Sequence, residues 1–172
     1  MKRIFLFVLI LLVTNANVLH ASSINQITYA YWDKPDVEIF YVTPKKIDKD
    51  TQLLFVIHGN SRNAKDYISA WIPYVSNKNI IIVAPQFDKS NFRYFFLLES
   101  ATSSGSINNN SDDYIHKSIS SFFDFFQSKF SLSTNKYKMF GHSSGAQFTH
   151  RYMLLSNDKR ISNAVVANAG WY

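Results

Sequence analysis

Gly141-His142-Ser143-Ser144-Gly145 is the stretch on which the reading of this chain turns. The short apolar run Tyr137 to Phe140 precedes it, and a helical pattern from Ala146 to Leu155 follows it. A G-x-S-x-G sequence carries chemical meaning where a strand turns sharply into a helix, because the turn lifts the serine hydroxyl clear of its surroundings. A serine hydroxyl is a weak nucleophile. It needs an activating base and hydrogen-bond donors facing the oxyanion that develops. Gly141 and Gly145 leave room for close approach of strand and helix. The helix would direct its positive end toward the site, with the backbone N–H of Ser144 as one oxyanion donor.

Upstream, Leu53 to Ile57 is a continuous apolar run, as expected of a strand buried on both faces. His58-Gly59-Asn60-Ser61 follows it, with His58 lying 85 residues before Ser143. Gly59 lets that backbone come close. The N–H of Asn60 is the expected second donor, with Gly59 and Ser61 as alternatives, and His58 is expected to brace the loop by hydrogen bonds. Val37 to Val42 reads as a further strand, Ala64 to Val75 as a helix with Pro73 disturbing its last turn, and Ile80 to Ala84 as a strand stopped by Pro85. Pro85 to Asn110 is long and irregular, aromatic in its first half and rich in Ser and Asn in its second. Loops of that length carry function or move. Ser111 is expected to cap a helix with Asp112 and Asp113 in its first turn. Ile115, Ile119, Phe122, Phe126 and Phe130 would form its apolar face. Asn163 to Ala167 is the last strand. This alternation predicts an α/β fold, a mostly parallel sheet with helices on both faces.

Lys2 and Arg3, the apolar run Ile4 to Val13 and Ala21 read as a signal peptide over residues 1–21, with a secreted or periplasmic location to match. Ten apolar residues fall short of the roughly 20 that cross a bilayer, so no stable membrane anchor is expected. Removing Lys2 and Arg3 lowers the net charge from +6 to +4. The charges are scattered, which argues against a nucleic-acid partner. There are no cysteines, so residues 22–172 must hold together by their core alone.

His58-Gly59-Asn60, Ala84-Pro85, Asp112-Asp113, the pentapeptide and Asn168-Ala169-Gly170-Trp171-Tyr172 together resemble the α/β-hydrolase superfamily. More narrowly, they are similar to secreted polyhydroxybutyrate-depolymerase-like and feruloyl-esterase-like serine esterases. The resemblance implies an acyl-serine mechanism on a small or polymeric ester, with Ser143 as nucleophile, oxyanion donors from Asn60, Ser144 and Gly59, no metal and no cofactor. Trp171 and Tyr172 follow the last strand, at the edge where ligands bind in such sheets, and would either line a substrate pocket or pack as ordinary residues at the chain's end.

The superfamily's triad runs Ser, then Asp or Glu, then His. After Ser143 the chain holds one acidic residue, Asp158, which precedes the last strand and reads as a surface residue at a helix end, and one histidine, His150. His150 lies seven residues along the same helix, about 10 Å from the serine. His142 should point away from the nucleophile into packing. The expectation is therefore an α/β-hydrolase lacking its last strands and its triad acid and histidine. An inactive remnant or binding protein, or one half of a split enzyme, is the alternative. The uncharged last strand would leave a sheet edge open to a complementing chain or another copy.

Overall fold

The computed structural model describes residues 23–75 and 78–170. Residues 1–21, read from the sequence as a signal peptide, and Trp171 and Tyr172, read as candidate pocket residues, lie outside the described residues. Six strands, β1 (Asn25–Tyr29), β2 (Val37–Val42), β3 (Gln52–Ile57), β4 (Ile80–Gln86), β5 (Tyr137–His142) and β6 (Ile161–Ala167), form one sheet in the order β1-β2-β4-β3-β5-β6. β4, β3, β5 and β6 run parallel, while β1 and β2 form an antiparallel margin. Three helices connect the parallel strands: α1 (Ala64–Val75), α2 (Ser118–Lys129) and α3 (Ser144–Leu155).

Alternation along the strands divides the core in two. Ile39, Leu53, Phe55, Ile57, Val83 and Met139 face α2 and α3, where they meet Phe122, Phe126, Phe148 and Tyr152. Phe40, Leu54, Val56, Ile82 and Ala84 face α1 through Ala64, Ile68 and Val75. β3 is buried on both faces over Leu53–Ile57, as its unbroken apolar run predicts. Helices thus cover both faces, and the α/β expectation holds.

β4 runs on through Pro85 to Gln86, where it pairs with β2, rather than stopping at Pro85, and two further elements differ from the sequence reading. β1 was not expected: Asn-Gln-Ile-Thr-Tyr has a weak apolar signal. It is held instead by Gln26 and Thr28, which donate to the two carboxylate oxygens of Glu38 at 2.6 and 2.5 Å, and by Tyr29, whose ring packs on Phe122 and Phe125. The second helix begins at Ser118 rather than Ser111. Ser111–Asp113 is a separate 3-10 turn capped by Asn110. Asp113 is tied to Asn108 and Asn110, and Ile115 N–H donates to the Leu98 carbonyl. Such local side-chain bonds compete with a continuous helix.

Candidate active site

Ser143 stands between the last residue of β5 and the first of α3, with φ 57° and ψ −124°. A non-glycine residue there is strained, at a cost on the order of 1–3 kcal/mol, and persists only where its surroundings over-determine it. Here they do. Ser143 N–H donates to the Ala167 carbonyl of β6 at 3.0 Å, and its own carbonyl accepts from Ala146 and Gln147 in the first turn of α3. Packing leaves no slack: a methyl group on Gly145 would lie 2.2 Å from the Ile57 carbonyl oxygen, and one on Gly141 would lie 2.1 Å from that of Gly145. The helix therefore starts in contact with both β3 and β5. Its first amides, at Ser144 and Gly145, lack partners within the helix.

β3 delivers the second part. A methyl group on buried Gly59 would sit 3.4 Å from Ser143 Cβ and 2.9 Å from the Tyr67 hydroxyl. The loop expected to face Ser143 does so. Gly59 opens a turn closed by Arg62 N–H donating to its carbonyl at 3.2 Å, and exposed Asn60 lies at the turn's corner. Arg62, itself at φ 57°, anchors the turn to the long loop after β4. Its guanidinium donates to the carbonyls of Phe87, Phe92 (2.8 Å) and Arg93 (3.0 Å) and lies 4.2 Å above the Phe95 ring. The sequence reading missed Arg62, since its role depends on partners about 30 residues away.

The histidines fall into place. His58 is fully buried. Its Nε2 accepts from Phe87 N–H at 3.0 Å, so Nδ1 carries the proton and donates to the Gly59 carbonyl at 2.8 Å. Burial pushes its pKa down to about 4. With both ring nitrogens engaged, His58 is a brace and not a base. His142 points to the α1 side of the sheet, where its Nδ1 is 2.8 Å from the Tyr67 hydroxyl and its Nε2 is 3.5 Å from Asn168 Nδ2. His150 lies on α3, two turns beyond Ser143.

Asp158 is not the surface residue its position suggested. Its side chain is 8% exposed, and it accepts from Tyr137 Oη at 2.8 Å and from Arg160 Nε at 3.0 Å. Although burial opposes ionisation, the bonds from Arg160 and Tyr137 hold its carboxyl below the usual range. Tyr137 begins β5 and Ser143 follows its end, so about 20 Å of strand separates Asp158 from Ser143. Among the described residues, neither a histidine nor a carboxylate hydrogen-bonds the Ser143 hydroxyl. Nor do three or more His, Cys, Asp or Glu gather there as a metal site.

No protein-family model matches the chain, and no curated protein does. Solved structures do. Poly(aspartic acid) hydrolase-1 from Sphingomonas sp. KT-1 is 32% identical with a TM-score of 0.80, over 88% of this chain and 58% of that one. LpqC, a poly(3-hydroxybutyrate) depolymerase from Bordetella parapertussis, is 25% identical with a TM-score of 0.77, over 88% of this chain and 53% of that one. Acetyl xylan esterase from Aspergillus awamori, at 19% identity and a TM-score of 0.62, shares the fold over 86% of this chain and 53% of its own. The chain spans little more than half the length of these proteins.

Proposed function

The chain has the α/β-hydrolase fold and resembles its hydrolases and esterases, and on that premise we propose that it carries the nucleophile and oxyanion half of an exported serine carboxylic-ester hydrolase. The observation that carries the reading is Ser143 at φ 57°, ψ −124° on a strand-to-helix turn, with Gly59 packed against it. Ser143 Oγ attacks the ester carbonyl carbon. The carbonyl oxygen takes up the negative charge opposite the N–H groups of Ser144 and Asn60, with Gly59 beside them. Collapse of that intermediate expels the alcohol and leaves an acyl-serine, which water then hydrolyses. The serine's proton must pass to a base and then to the leaving alcohol. We assign that base and its partnering acid to sequence outside these 172 residues, since no described residue fills either role.

The absence of a base among the described residues also favours a second reading, a binding protein or remnant that keeps the elbow without turnover. Reading the DNA beyond codon 172 in all frames separates the two. α/β-hydrolase sequence bearing an Asp and a His, in any frame or in an adjacent gene, supports the esterase or its split form. Unrelated sequence supports the remnant.

A further inference from the structure

The loop that holds Gly59 packs on a side chain that is hydrogen-bonded to the elbow. α1 begins directly after this loop, and its fourth residue, Tyr67, folds back under it. The Tyr67 hydroxyl lies 2.9 Å from the position a methyl group on Gly59 would occupy, and 2.8 Å from Nδ1 of His142, the residue before Ser143. The other face of the same imidazole meets Asn168 at 3.5 Å, one residue beyond the Ala167 carbonyl that accepts the Ser143 N–H. One aromatic hydroxyl and one imidazole therefore connect α1, the Gly59 loop, β5 and the end of β6 around the nucleophile. No polar side chain needs to enter the reaction for this ring to matter. Oxyanion donors act only when held within a few tenths of an ångström of where the charge develops.

Resting on the reading of Ser143 as nucleophile, we propose that Tyr67 and His142 are positioning residues: their hydrogen bond fixes the Tyr67 hydroxyl, against which Gly59 packs, and so sets the gap between the Gly59–Asn60 loop and Ser143. With the Asn168 amide turned so that its oxygen faces Nε2, we assign the ring proton to Nε2 and Tyr67 as the donor to Nδ1.

The test uses the 172-residue chain and a fluorophosphonate probe, with imidazole added as a substitute base, and compares labelling rates at Ser143. Tyr67→Phe and His142→Gln are expected to slow labelling about tenfold, the weight of one lost hydrogen bond on a rate. His142→Asn, whose amide oxygen can take the place of Nδ1, is expected to restore the rate to within about twofold of wild type. A general loss of packing would not discriminate Asn from Gln in this way. Imidazole nitrogen NMR gives a direct signature, an Nε2–H tautomer at His142 that is lost in Tyr67→Phe. Equal rates in Tyr67→Phe and wild type, or a His142→Asn variant as slow as His142→Gln, would overturn the positioning role. Should wild-type Ser143 stay unlabelled at every imidazole concentration, the nucleophile assignment fails by itself. Amide exchange at Asn60 to Arg62 then decides the positioning role: faster exchange in Tyr67→Phe supports it, and unchanged exchange overturns it.

Discussion

His58 and Glu99 are the residues whose surroundings most affect their titration near neutral pH, and they act on stability in opposite directions. His58 has a pKa of about 4 in the fold against an ordinary 6.5. Below pH 6.5 the unfolded chain takes up a proton that the folded chain refuses, so stability is lost as pH falls toward 4, by up to about 3 kcal/mol. Glu99 is pushed up to about 7 from 4.5, chiefly by burial, against the lowering effect of the Tyr94 N–H that its Oε1 accepts and of nearby Arg62. The folded chain keeps a proton that the unfolded chain has released, so this contribution is present at low pH and lost as pH rises from 4.5 to 7. The two slopes oppose each other. Glu99→Gln removes one of them. Urea unfolding at pH 7 and pH 5 should show a steeper loss of stability on acidification in the variant than in the wild type, and parallel slopes would contradict the assignment. The sequence revealed His58 as a loop brace because it adjoins Gly59. Glu99 gave no signal, because its burial depends on a long loop folding over α3 and the Arg62 turn.

At the scale of elements, β3 and β4 were legible because strands buried on both faces read as apolar runs, and β5 because the glycine-flanked serine follows it. β1 was not, since three of its five residues are polar, and Gln26 and Thr28 find their partner, Glu38, on β2. The start of α2 was misread for a related reason: Asp112 and Asp113 suit a helix end, yet Asn108 and Asn110 hold this stretch as a turn of its own. β6 has the opposite character. Its outer edge is unpaired among the described residues, it bears no charged side chain, and Val165 is 53% exposed. Uncharged open edges pair with other chains. Sedimentation velocity should therefore show self-association that rises with concentration. Val165→Lys should weaken it, and a variant that associates as strongly as the wild type would rule out this edge as the contact.

For the whole molecule, the strand-helix alternation and the glycine-flanked serine were enough to predict an α/β sheet with Ser143 at one end of it. The meeting of Gly59 with Ser143 was also foreseeable, because β3 and β5 are neighbours and both loops leave the same edge. The Tyr67–His142 pairing was not foreseeable: 75 residues separate the two, and no motif joins them. The central claim is that Ser143 is a preorganised nucleophile whose activating base is not among the described residues. Fluorophosphonate labelling of the purified chain, mapped by mass spectrometry with and without imidazole, tests this most directly. The account predicts slow labelling that rises with imidazole concentration and falls on Ser143. Fast labelling without imidazole that disappears in Ser143→Ala, or imidazole-driven labelling at another residue, would contradict it.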